Sequence, residues 1–152
     1  VGAVPCGIIY MYVRAKVPHK GSVLLMCILV ALIAFCLGIT WPSALGLFIG
    51  GIFAELISAI GKYTSKLWNL IGYIVFICGF WLGQAFYMIF GTEMFMNSMV
   101  RQGTDLEFAQ SLVDFVSGPM FIVCLLATIV LSAIGGALGY ILFKKHFSKL
   151  EA

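Results

Sequence analysis

Among the carboxylates of this chain, Glu55 alone falls well inside a long apolar run. A charge at such depth has to find a partner or a cavity. Lys62, just beyond the end of that run, could reach toward it. Glu55 therefore reads either as half of a structural ion pair or as a group that couples to ion or proton movement. A second polar group at depth is Gln84, with Trp81 and Tyr87 three residues to either side and Met88 one turn on. At helical spacing these make a polar and aromatic stripe. Thr40, Trp41 and Ser43 lie at a similar depth, in a turn between two apolar runs. Together these residues would line a small pocket with aromatic walls and a few hydrogen-bonding groups, the make-up of a small-molecule site. The alternative is an aromatic belt at a membrane interface. Glu93, Asn97 and Arg101, in the segment that follows, would close the pocket, and the acidic excess of that segment favours a neutral or cationic ligand.

Nothing else in the chain has the form of reaction chemistry. There is no Walker sequence, no HExxH and no GxSxG, so neither ATP hydrolysis nor a known hydrolytic apparatus is expected. His19 and His146 sit in basic segments, where they read as headgroup-facing side chains. Cys6, Cys27, Cys36, Cys78 and Cys124 lie in apolar runs without a CxxC pair and read as small buried hydrophobes. No catalytic residue, metal or cofactor is expected, the chain is not expected to be an enzyme, and any energy must come from a partner or a gradient. Nucleic acid is not an expected partner.

The elements that would hold these residues are helices in a bilayer. With 152 residues, 62% of them hydrophobic and 10% charged, the chain has too little polar surface to cover a soluble globule. The apolar stretch 1–13 is too short to cross a membrane that takes about 20 helical residues, and it reads as the latter part of a helix whose first half is missing. Four longer runs follow, at 22–39, 43–60, 67–90 and 119–143. The expected fold class is an all-α integral membrane protein: one domain over 1–152, a helical bundle of four full transmembrane helices plus the partial N-terminal one. Pro42 opens the second run, since it has no N–H to continue a preceding helix.

Charge sets the orientation. Arg14, Lys16, Lys20, Lys62, Lys66, Lys144, Lys145 and Lys149 all fall on one side of the spans, and cytoplasmic loops collect Lys and Arg. The other side holds the Thr40–Pro42 turn and the 91–118 loop, where Arg101 stands against Glu93, Asp105, Glu107 and Asp114. The C-terminus is thus expected in the cytoplasm and the loop outside a multi-pass plasma-membrane protein. Thr104-Asp105-Leu106-Glu107 has the form of a capping box, and Leu106, Ala109, Gln110, Val113 and Val116 approximate a stripe. A short amphipathic helix is expected over about 105–116. Small residues recur at helical spacing as Gly46, Gly50 and Ala54, as Gly72, Gly79 and Gly83, and as Ala133, Ala137 and Gly135, Gly139. Such rows serve close packing within the chain or against a membrane partner.

The segment from Pro5 to Gly21, closing in Arg14-Ala15-Lys16-Val17 and Lys20-Gly21, resembles the S components of energy-coupling factor (ECF) transporters, in particular the MptD or Trep_Strep group. So do Gly38-Ile39-Thr40-Trp41-Pro42, the Gly50-to-Ile57 segment, Gly61-Lys62-Tyr63, Gly72-Tyr73, Gly135-Gly136-Ala137-Leu138-Gly139 and Lys144-Lys145-His146-Phe147. The resemblance implies six helices in a complete member, with both termini inside. It also implies capture of a small vitamin-like micronutrient from outside, docking on a membrane coupling subunit with two ATPase subunits, and release inward. The rival expectations are a stand-alone secondary carrier or channel and a structural subunit of a membrane complex.

Overall fold

The computed structural model describes residues 3–146, with side chains over 5–142. These residues form α1 (Ala3–Lys16), α2 (Ser22–Cys36), α3 (Trp41–Ile60), α4 (Lys66–Phe90), α5 (Thr92–Arg101), α6 (Leu106–Ser117) and α7 (Met120–His146), with no strand among them. α3, α4 and α7 are long and apolar enough to cross a membrane. α2 is apolar but only 15 residues long, a rise of about 22 Å against a ~30 Å core, so among the described residues three helices, and not the expected four, have the length of a full span. The apolar run continues to Ile39, but Gly38 takes the left-handed conformation (φ 91°) and ends the helix early. Ile39 N–H donates to Ala34 O and Gly38 N–H to Phe35 O, both at 3.0 Å, which is a Schellman closure. In the other direction α1 runs past residue 13 to Lys16.

Backbone contact holds the centre together. An alanine Cβ at Gly79 would sit 2.6 Å from Gly46 O and 2.8 Å from Gly50 Cα, and one at Gly83 2.5 Å from Pro42 O. The glycine rows of α3 and α4 therefore face each other, as do Gly7 of α1 and Gly135 and Gly139 of α7. Lipid gives helices no hydrophobic drive to associate, so such close approach supplies the cohesion through dispersion. These rows serve internal packing. Ala137, by contrast, is exposed. α2 packs on α3, α3 on α4, and α4 on both α1 and α7, with Tyr10 of α1 against Tyr73 (ring centroids 5.2 Å apart) and Phe76 of α4.

Arg14 of α1 hydrogen-bonds to the α3–α4 turn, and Lys66 at the start of α4 lies over the Tyr140 ring near the end of α7, so the cations gather at one end of the bundle. This is termed the basic end. The side chains of Lys144, Lys145 and His146, and all of Phe147 and Lys149, lie outside the described residues. The opposite end carries α5 and α6, two helices where one was expected. Gly103 (φ 82°) separates them and closes α5 as Gly38 closes α2, with Thr104 N–H on Met99 O. The cap of α6 is Asp105, whose carboxylate accepts from Glu107 N–H, rather than the Thr104 of a capping box. On α6 the inward stripe is Ala109, Leu112, Val113 and Val116, while Leu106 and Gln110 are exposed. Of the cysteines only Cys27 is fully buried; Cys6 and Cys36 are exposed on the outside of the bundle, where an apolar thiol meets lipid as readily as core.

Candidate functional site

Two groups of polar side chains bond across helices, one at each end of the α3–α4 pair. At the end bearing α5 and α6, Thr40 is the N-cap of α3 in extended conformation, and Pro42 follows in the first turn. This geometry turns the Thr40 and Ser43 hydroxyls together, with 2.9 Å between their oxygens. Ser43, fully buried, donates to Gln84 Oε1, and Thr40 Oγ1 lies 3.5 Å from the same oxygen. Gln84 Oε1 is thus the acceptor on which the two hydroxyls of the α3 start converge. Gly46, Gly79 and Gly83 fix this register, because Gly83 lets α4 approach within contact of Ser43 Cα.

Thr40, Ser43 and Gln84 are thus brought together, while the other expected pocket residues point elsewhere. Trp41 is two residues from Ser43, which places it on the opposite face of the helix. It is 54% exposed and lines a groove of about 360 Å³ on the outer side of the α3–α4 seam with Leu45, Leu82 and Phe86. Trp81 packs on Phe121 of α7, centroids 4.8 Å apart. Tyr87 is buried edge-on against Phe95 and, with Met88 and Val113, anchors α5 and α6 on the last turns of α4. Asn97, Glu93 and Arg101 are exposed on α5.

The second cluster, at the basic end, centres on Arg14, which is only 2% exposed. Its guanidinium donates from Nε to Asn69 Oδ1 (3.3 Å), from Nη1 to Ser22 Oγ (2.6 Å) and from Nη2 to Tyr63 O (2.9 Å). It also lies 5.2 Å from the Tyr63 ring centroid. One side chain of α1 thereby ties α2, α4 and the α3–α4 turn. That turn holds Lys62 (φ 51°) and Tyr63 (φ 63°) in the left-handed region, at a cost of about 1–2 kcal/mol each. The conformation aims Tyr63 O inward, where Asn69 Nδ2 also donates to it at 3.4 Å. Partial desolvation, then the charge of Glu55, hold the Tyr63 phenol above its ordinary pKa range.

Glu55 belongs to this cluster and does not pair with Lys62, whose side chain is exposed. Its carboxylate accepts from Gly21 N–H (2.6 Å) and Leu24 N–H (3.2 Å) at the start of α2. The N-cap position of α2 is Gly21, which has no side chain to satisfy the first amides, so α3 supplies the acceptor that an N-cap Ser or Asp would otherwise provide. The buried Arg14 was the residue sequence reasoning missed. Its signal was Asn69, one turn into an apolar span, where a lone amide implies a polar partner.

Long apolar helices, with most of the described cations at one end, define a multi-pass helical membrane protein. Residues 1–149 match the family described as hypothetical bacterial integral membrane protein (Trep_Strep), and the chain belongs to that family. No curated protein and no solved structure matches it.

Proposed function

We propose that this protein is the substrate-binding S component of an ECF-type importer. In this reading it lies in the plasma membrane with its basic end and C-terminus in the cytoplasm. It captures a small vitamin-like micronutrient from outside and releases it inward when docked on a membrane coupling subunit and two ATPase subunits. The observation that carries the reading is the Thr40–Ser43–Gln84 cluster, at the end opposite the cations. Polar groups in the membrane are costly unless they serve a partner or ligand, and this cluster lies toward the end of the α3–α4 pair that carries α5 and α6. Membership in an integral membrane protein family is compatible with this reading, which assigns ATP hydrolysis to other subunits because the given sequence carries no Walker motif.

The test begins with mass spectrometry of any small molecule retained by gently purified protein, followed by binding of that molecule to variants. Ser43→Ala and Gln84→Ala should each weaken binding about 5- to 100-fold, the range for leaving a buried hydrogen-bond partner unpaired. Trp41→Ala, on the membrane-facing side, should leave affinity unchanged. Undiminished affinity in both polar variants removes this cluster as the site, and uptake into vesicles without any ATPase would replace the importer reading by a stand-alone carrier. Orientation is checked with single cysteines at Asp105 and Lys62. An impermeant reagent on whole cells should modify the first and spare the second, and the reverse pattern inverts the topology.

A further inference from the structure

A fissure opens between α1 and α2 at the basic end, because α2 packs on α3 while α1 packs on α7 and α4. Val13 and Val17 on one side and Leu25 and Leu29 on the other wall a groove of about 470 Å³, and His19 and Lys20 stand at its rim. Leu25, Leu29 and Val17 are 65%, 51% and 45% exposed, so this aliphatic wall faces outward rather than into the bundle. From Gly21 to Leu29 the wall extends along about 12 Å of helix, the depth of an upper acyl chain. The groove thus has a cationic mouth over a hydrocarbon interior.

We infer that this groove binds one anionic phospholipid, its phosphate at Lys20 and His19 and an acyl chain between α1 and α2. Charge complementarity selects this occupant. Arg14 is turned inward onto Asn69, Ser22 and Tyr63 O, so Lys20 supplies the positive charge of the rim and His19 a polar ring beside it. Glu55 occupies the Gly21 and Leu24 amides from the α3 side, so the headgroup is held by side chains and not by the helix N-terminus. A lipid seated here fills the space between α1 and α2, which among the described residues packs chiefly on α3. A basic surface next to the headgroup layer is also where an anionic lipid gains most over a zwitterionic one.

The experiment uses the full chain in neutral detergent, titrated with phosphatidylglycerol, phosphatidylcholine or inorganic phosphate, and read by native mass spectrometry and by thermal unfolding. Phosphatidylglycerol should remain bound as a single copy and raise the unfolding temperature, with phosphatidylcholine and inorganic phosphate producing neither effect. Lys20→Gln should weaken phosphatidylglycerol retention about five-fold. Leu29→Trp should fill the groove and abolish retention while leaving the lipid-free unfolding temperature in place. Should Leu29→Trp fail to fold, Lys20→Gln decides alone, because its side chain is exposed. Equal retention of phosphatidylcholine, an equal shift from inorganic phosphate, undiminished retention in Lys20→Gln, or a dimer that protects the groove would each overturn the proposal.

Discussion

Replacing Gly79 by alanine pits two opposite effects against each other, and the sign of the result reports on the packing of α3 against α4. In an isolated helix the change is favourable by about 0.5–1 kcal/mol, since glycine loses more backbone freedom on ordering. In this seam the new Cβ would lie 2.6 Å from Gly46 O and 2.8 Å from Gly50 Cα, both backbone atoms that cannot rotate away. Reaching ordinary contact near 3.4 Å requires the helices to part by about 0.8 Å, a gap that forfeits a quarter to a half of each affected dispersion contact. Overpacking of this kind costs about 1–3 kcal/mol, which outweighs the propensity gain and leaves a net loss of about 1–2 kcal/mol. By the usual scaling for a chain of this size that is roughly 2–8 °C. Thermal unfolding in detergent, followed by tryptophan fluorescence, should show the drop for Gly79→Ala, a larger drop for Gly79→Leu, and little change for the outward-facing Phe53→Ala. A Gly79→Ala protein that melts at or above the parent temperature would refute the direct backbone seam.

At the other end, Glu55→Ala strips the acceptor from the first amides of α2. About 0.5–2 kcal/mol of helix-end stability should be lost, seen as faster hydrogen exchange over the first turn of α2 with α7 unaffected, while unchanged protection would mean the cap is dispensable. Arg14→Lys keeps the charge but not the fork that reaches Asn69, Ser22 and Tyr63 O at once. It should lower stability by about 1.5–3 kcal/mol in the same unfolding assay, and a parent-like melting curve would show that the three contacts are not a unit.

The start of α3 was legible because its signal is local: Thr40-Trp41-Pro42 closes one apolar run and opens the next. The glycine rows of α3 and α4 signalled close packing without naming the partner, and only the folded chain shows that they face each other. Thr40, Ser43 and Gln84 were grouped by depth alone, and the packing brings these three together. Trp41 was misplaced because depth in the membrane was read without helical phase, and a residue two positions from Ser43 cannot share its face. Tyr87 looked like a pocket wall in a linear stripe, yet its ring is consumed by Phe95, a partner on the next helix whose approach depends on the turn at Gly91.

Composition, run length and the segregation of Lys and Arg were enough to determine an apolar helical bundle with one basic end, because insertion into a bilayer depends on sums over whole segments and not on which atoms touch. Tertiary structure decided what those sums leave open. It turned Arg14 inward, sent Glu55 to the start of α2 instead of to Lys62, ended α2 at Cys36 and split the acidic segment into two helices. Each of these rests on where a distant backbone presents an amide, a carbonyl or a left-handed turn. Such directional, short-range interactions exist only once the helices have packed.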